Sequence, residues 1–248
     1  MDLPNWRPIL VCVLFGTVTA HVEESTFERI CTAGACTALA YVFGRFNYHR
    51  AREVSSCPDG KIPFALAEQY ASEVIWALDG SFDRAEIAGS IRRRKEFVGD
   101  IEILLIPKIQ MMADMGSLFE DMIPVNLEYK RVQELLADGT FCHRPDKDGH
   151  NCCGLRFQRL IYKNVGLDLF CVLPPAQWGP QFLIRTGSSD FNKRIVRKWS
   201  DGGTILRAGL RFEEGRLLDR NVPMDCPEEQ DVFRAIGLEY IEPWERDA

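Results

Sequence analysis

The sequence predicts an α+β fold, and three observations carry the prediction. Ala67, Tyr70, Ala71, Val74, Ile75 and Leu78 recur at helical spacing and end at Gly80. Asp100 to Ile106 reads as a strand closed by Pro107. Two further apolar runs, Leu155 to Tyr162 and Val165 to Val172, read as strands joined at Lys163-Asn164. With 248 residues, the chain is long enough to bury a substantial core in one to three compact units.

Residues 1–60 form a poorly defined N-terminal region. Within it, Glu24 to Tyr41 carries a helical stripe of Phe27, Ile30, Cys31, Ala35, Ala38 and Leu39, interrupted by Gly34. Pro8 to Ala20 is almost wholly apolar. It is shorter than the roughly 20 residues a membrane helix needs. Asp2 also offsets the charge of Arg7, which weakens an export signal. The stretch therefore reads as a buried helix or strand. Ser55 to Lys61 reads as a turn or linker because it contains Pro58 and Gly60.

Pro63 suits an early position of the helix that follows. Ala85 to Ala88 is expected as a short strand and Gly89-Ser90 as a tight turn. Leu127 to Leu136 reads as a helix at the edge of a sheet, and Thr140 to Gly154 as a polar loop or hairpin tip. Pro174, Pro175 and Gly179-Pro180 break the regular pattern. A helix is expected over Asp190 to Lys198, then short strands near Ile205-Leu206 and Arg216-Leu218. Cys226-Pro227-Glu228-Glu229 opens a last helix with its acids at the favourable end, and Gly237 closes it.

The formal net charge of -6 does not by itself identify a partner, but the charge distribution is informative. Gln181 to Arg211 holds seven Lys or Arg against two Asp, and Phe212 to Ala248 holds eleven acids against four Arg. A basic segment in an acidic chain is compatible with a phosphate backbone as partner. The nine cysteines suggest no regular framework, and a chain of this size does not need disulfides for stability. Reduced thiols in a cytoplasmic protein, or one in a host cytoplasm, are the simpler account. Cys142, His143, His150, Cys152 and Cys153 are residue types that bind zinc, but their spacing matches no standard site.

The candidate chemistry centres on three acids. Asp100 and Glu102 lie two apart on a strand and so share a face, while Ile101 and Ile103 turn to the other. Asp168 lies on a second apolar strand. Gly89-Ser90 and the cationic run Arg92, Arg93, Arg94 and Lys95 precede the first pair. Three carboxylates beside a phosphate-sized cationic loop point to divalent metals acting on a nucleoside triphosphate. Gly89 permits close approach of backbone to phosphate, and Ser90 offers a hydroxyl donor. An arginine fork suits phosphate oxygens, though chemistry alone does not separate Arg93 from Arg92 or Arg94.

These residues closely resemble the family X DNA polymerases, the polymerase beta-like nucleotidyltransferases. The resemblance spans Ile62 to Asp247. It lies in Ala88-Gly89-Ser90-Ile91-Arg92-Arg93-Arg94, in Val98-Gly99-Asp100-Ile101-Glu102-Ile103 and in Leu167-Asp168-Leu169-Phe170. It continues through Arg185-Thr186-Gly187-Ser188, Phe191-Asn192-Lys193 and the stretch from Glu228 to Leu238 with Tyr240, Ile241 and Pro243. It implies a palm over residues 61–176, with a mixed β-sheet backed by helices. It also implies a small C-terminal α+β subdomain over 177–248 that handles nucleotide and DNA.

The same resemblance implies Asp100 as bridging ligand to two Mg²⁺ ions, Glu102 as second ligand, and Asp168 as ligand and proton acceptor. Glu102 departs from the family's usual Asp, so Mn²⁺ is an expected alternative metal. Nucleotide binding is carried over to Gly89, Ser90, Arg93, Gly99, Arg185, Thr186, Gly187 and Asn192. Arg185 and Ile184 replace an aromatic pair common in relatives, which puts sugar discrimination in doubt. Lys193, Arg194, Arg197 and Lys198 are the expected contacts to DNA phosphates, and such contacts make affinity salt-dependent. The implied activity is addition of a dNMP to a DNA primer 3' hydroxyl in repair or gap filling, by a monomer. The family's lyase domain and helix-hairpin-helix units are not recognisable in the sequence, so a partner protein that supplies grip on DNA is a further expectation. The alternatives are transfer to a non-DNA acceptor and a catalytically silent DNA-binding homologue.

Overall fold

The computed structural model describes residues 60–113, 122–197 and 209–247. The readings for residues 1–59, for Lys198 and for the strand near Ile205-Leu206 lie outside the described residues.

The chain enters through β1 (Ile62–Pro63) and α1 (Phe64–Ala77), then runs through β2 (Phe82–Ile87), a single helical turn α2 (Gly89–Arg92), β3 (Phe97–Val98) and β4 (Asp100–Pro107). It continues through β5 (Ile109–Ala113), β6 (Met122–Asn126), α3 (Leu127–Ala137), β7 (Cys142–His143), β8 (Phe157–Tyr162) and β9 (Val165–Cys171). The last part holds α4 (Trp178–Thr186), α5 (Ser189–Val196), β10 (Leu210–Glu213), β11 (Arg216–Asp219), β12 (Val222–Pro223), α6 (Glu229–Ile236) and a 3₁₀ turn at Pro243–Glu245. Among the described residues, no helix is long and apolar enough to cross a membrane.

The main sheet has the order β2-β4-β9-β8-β7. β4 and β9 run parallel, and the other neighbours are antiparallel. The expected mixed α+β architecture is therefore present. One face of the sheet is mostly apolar. Ile101, Ile103 and Leu105 of β4 and Leu167 and Leu169 of β9 are fully buried there, against Ala67, Ala71 and Val74 of α1 and Val132 and Leu135 of α3. The opposite face changes character along its length. Asp100, Glu102 and Asp168 occupy one end. Leu104 and Phe170 occupy the other, where they join Ala88, Val172, Trp178 and Phe182 in a separate apolar cluster. That cluster seats α4 over the sheet. A third cluster holds the C-terminal region together, with Leu183, Phe191, Leu217, Val232 and Phe233 at its centre.

Several elements differ from the sequence reading, for local reasons. Gly89-Ser90 opens a single helical turn rather than a plain β-turn. Pro63 pairs in β1 and caps α1 from outside, so it is not an early helical residue. α4 was hidden by Gly179 and Pro180, yet both fall in its first turn. The missing proline N–H costs nothing there, because first-turn amides have no intrahelical acceptor. The β5–β6 ribbon was also unforeseen; Ile109, Met111 and Met122 are exposed on it, so no half-buried alternation marks it. The Lys163-Asn164 connection is a two-residue hairpin with φ of 48° and 65°, as tight turns between twisted strands require.

A polar pair sits inside the main core. Glu128, in the first turn of α3, is fully buried and accepts hydrogen bonds from Gln158 Nε2 at 2.9 and 3.0 Å and from the Cys171 thiol at 3.4 Å. Burial pushes its carboxyl up from 4.5 to about 7, against the opposing effect of those donors. Between these two values the folded protein holds a proton that the unfolded chain releases. Stability contributed by this group should therefore fall as pH rises from about 4.5 to about 7, with a slope of at most ~1.4 kcal/mol per pH unit. Urea unfolding of wild type and Glu128→Gln across that range should show a shallower fall in the variant.

Candidate active site

The parallel register of β4 and β9 builds the site. Asp100 lies opposite Gly166, Glu102 opposite Asp168, and Leu104 opposite Phe170. Alternation along both strands turns the three acids to one face. Asp168 is nearly buried at 8% exposure, whereas the Asp100 side chain is 41% exposed. Burial raises the Glu102 carboxyl to about 7, reinforced by the charges of Asp100 and Asp168 and opposed by Arg93 and Arg185. Burial also raises Asp168, against the opposing pull of Arg144. The set concentrates negative charge in a partly dry setting, an arrangement that favours a cation.

The α2 turn closes one side. The Ala88 amide donates to the Glu102 carbonyl at 2.8 Å, which fixes the turn to β4. Gly89 has φ of 60°, and a Cβ there would collide with Glu102 Oε2. The space that the sequence reading reserved for phosphate at Gly89 is thus taken by the longer side chain of Glu102. Ser90 Oγ is buried and has no hydrogen-bond partner. Gly99 needs no special backbone conformation, and an added Cβ would meet nothing within 4 Å.

Structure separates the three arginines that chemistry left equivalent. Arg92 forms a two-pronged pair with Glu229 at 3.0 and 2.7 Å, donates to Thr186 Oγ1 at 2.6 Å and lies over the Phe182 ring. Arg93 donates to the carbonyls of Thr186 and Gly187 at 2.6 and 3.3 Å and to Asp247 at 3.1 Å. Asp247 also pairs with Lys95 at 2.8 Å, and these two cations hold its carboxyl below the ordinary range despite partial burial. Arg94, with φ of 57°, lies over the Trp244 ring at 4.0 Å.

Arg185, Thr186, Gly187 and Asn192 gather at the C-terminal end of α4. The Arg185 guanidinium lies over Phe170 at 3.9 Å, and its charge is felt by Glu102. Thr186 is fully buried. A Cβ on Gly187 would press within 2.5 Å of Asn192 Oδ1. Asn192 Nδ2 donates to the Ile184 carbonyl at 2.6 Å, which orients the amide, while its Oδ1 is buried without a partner. Lys193 is exposed and pairs with Asp190 at 3.0 Å. Arg194 lies over Phe191 at 5.8 Å, and Arg197 is exposed just after α5.

Five functional candidates escaped the sequence reading: Arg144, Arg159, Glu229, Arg246 and Asp247. Arg144 Nη2 pairs with Asp168 Oδ1 at 2.5 Å, and Arg159 Nε stands 4.0 Å from the same oxygen. Arg246 is buried and pairs with Glu229 at 2.6 Å, opposite the Arg92 pair. No spacing signal relates Arg144 to Asp168, because only the folded hairpin brings them together. Among the described residues, no group of three His, Cys, Asp or Glu stands close enough to hold a metal ion. That covers both the three acids as they now lie and the Cys142–Cys153 segment, where Cys142, Cys152 and Cys153 are free thiols.

Comparison with known proteins bears on this arrangement. The family model for the DNA polymerase beta thumb matches residues 182–247. The chain is 27% identical over 177 residues to DNA polymerase lambda of Rattus norvegicus, covering 64% of the chain. It is 33% identical over 104 residues to DNA nucleotidylexotransferase of Xenopus laevis, covering 41% of the chain.

Over these segments the chain is similar to family X DNA polymerases.

The matches span 28% and 18% of the lengths of those two relatives. Within the family X thumb match lie Arg185, Thr186, Gly187 and Asn192, together with Glu229, Arg246 and Asp247, which tie this region back to the α2 turn. Removing the shared carboxylate with Glu229→Ala would strand two cations, one of them fully buried. We expect a loss of about 3–5 kcal/mol in urea unfolding. Glu134→Ala removes the exposed pair with Arg131, whose side chains are 40% and 49% exposed, and should cost under about 1 kcal/mol.

Proposed function

We propose that the chain is a DNA polymerase-like nucleotidyltransferase, adding a deoxynucleoside monophosphate from a dNTP to the 3' hydroxyl of a DNA primer. The register that sets Glu102 opposite Asp168, with Asp100 on the same face beside the Gly89-Ser90 turn, is the observation that carries this reading. Similarity to a polymerase and to a nucleotidylexotransferase supports the reaction class. We read residues 61–176 as the palm and 177–248 as the nucleotide and DNA side. Repair or gap filling is the proposed setting. The partners are a primer-template and a dNTP, with a protein partner supplying further grip.

Three carboxylates on one face, with Glu102 buried beside the charges of Asp100 and Asp168, fit a divalent cation. Asp100, Glu102 and Asp168 would hold Mg²⁺, with Mn²⁺ as substitute. The ions would neutralise phosphate charge and make the hydroxyl easier to deprotonate. The chain's own groups do the positioning. Ser90 Oγ, buried and unpartnered, donates to a terminal phosphate oxygen. Arg93 offers its remaining guanidinium edge to the triphosphate while Asp247 and two carbonyls hold it still. Asn192, oriented by the Ile184 carbonyl, faces the incoming nucleotide. The primer oxygen bonds to the α phosphorus as the bond to the β-bridging oxygen breaks. Pyrophosphate leaves, and the hydroxyl proton passes to Asp168. Arg197 and Lys193 contact DNA phosphates.

Primer extension on a gapped duplex, with each dNTP and NTP in turn and with Mg²⁺ or Mn²⁺, tests the reading. The expected result is addition that follows the template base. Asp168→Ala should reduce it about 10³-fold or more, the rate equivalent of several kcal/mol of lost charge stabilisation. Transfer only to an acceptor other than DNA, or a rate unchanged in Asp168→Ala, would overturn it.

A further inference from the structure

The most unexpected side chain near the acids is Arg144. It follows β7, where its amide donates to the Arg159 carbonyl at 3.1 Å, so its backbone is fastened to β8. From that anchor the side chain crosses above Gly166. A Cβ at position 166 would collide with Arg144 Nη1, so glycine is what lets the guanidinium lie there. Its Nη2 donates to Asp168 Oδ1 at 2.5 Å, and its Nη1 stands 3.9 Å from Asp100 Oδ2. Its Nε is buried without a partner. The guanidinium thus lies between two of the three acids.

We propose that Arg144 is an internal, exchangeable counter-ion: it neutralises Asp168 and Asp100 until a divalent cation displaces its guanidinium. The argument is one of charge and space. A carboxylate oxygen engaged in a short, charge-assisted bond to a guanidinium is a poor ligand for a second cation, and two cations at one oxygen repel. One positive charge shared by two acids is also a weaker match than a divalent ion in contact with both. Displacement therefore favours the ion, yet costs the protein a charge-assisted bond. Arg144 is accordingly a positioning residue that tunes metal affinity and does not touch substrate. The proposal rests on the reading of the three acids as a cation seat.

The probe is Mn²⁺ alone, titrated into the full chain and followed by the electron paramagnetic resonance signal of the free ion. Wild type should bind, and Asp168→Ala should lose binding. Arg144→Ala should bind about tenfold more tightly or better, the equivalent of one charge-assisted hydrogen bond no longer broken. Gly166→Ala, which evicts the guanidinium and leaves its charge on the chain, should also tighten binding. This keeps the test sound if Arg144→Ala folds poorly. Equal or weaker Mn²⁺ binding in both variants, with wild type binding, would overturn the counter-ion role alone. Failure of every form to bind Mn²⁺ would overturn the cation seat and the proposal with it.

Discussion

The parallel pairing of β4 with β9 is the constraint on which the remainder of this molecule depends. In that register, every second residue of both strands faces the helices, and Ile101, Ile103, Leu167 and Leu169 are all fully buried there. A slip of one residue would drive Asp100, Glu102 and Asp168 into that core and expose the aliphatic row. The hydrophobic face therefore enforces the position of the acids more firmly than any contact among the acids themselves. Like charges at close range gain nothing from one another. They are held together because the other side of the same strands must stay dry.

The opposite face shows how a single sheet surface serves two purposes. At one end it carries carboxylates, and one residue pair further along it carries Leu104 beside Phe170. α4 packs on the apolar end through Trp178 and Phe182, which brings Arg185 over Phe170 and next to the acids. The α2 turn is fastened from the far side. Glu229 of α6 sits between Arg92 and Arg246 and is among the most buried acids described; those two cations hold its carboxyl below the ordinary range against the cost of burial. A buried carboxylate with two guanidinium partners is adequately satisfied, but either partner alone would leave a costly uncompensated charge. The turn that precedes β3 and β4 and the C-terminal region are thus held in one electrostatic unit.

Arginine and carboxylate exchange partners repeatedly around this site. Arg93 and Lys95 share Asp247, and Arg144 and Arg159 crowd Asp168. Glu102 stands apart. It faces Arg93 and Arg185 only at a distance and retains a carboxyl raised to about 7. Its extra methylene, compared with an aspartate, is what carries the carboxylate over Gly89. The site therefore has one acid that is satisfied by an arginine, one that is partly exposed and one whose ionisation is opposed by burial and by its two acidic neighbours.

Much of this was legible in the chain itself. The period-two pattern of β4 and the run of β9 identified both strands and the shared face of Asp100 and Glu102, because strand alternation is a local property. The helical spacing of α1 and the Gly237 stop of α6, with φ of 78°, were readable for the same reason. Tertiary structure decided what local pattern cannot encode. It distinguished Arg92 from Arg93 and Arg94 by which anion each could reach. It recovered α4 despite its Gly-Pro start, since burial of Trp178 and Phe182 outweighs weak intrinsic propensity. It brought Arg144 to Asp168, 24 residues away along the chain, through a hairpin and a glycine whose role appears only in three dimensions. The sequence alone settled which residue types and faces exist; the packing of distant strands settled which charges meet, because Coulomb energy depends on separation in space and not along the chain.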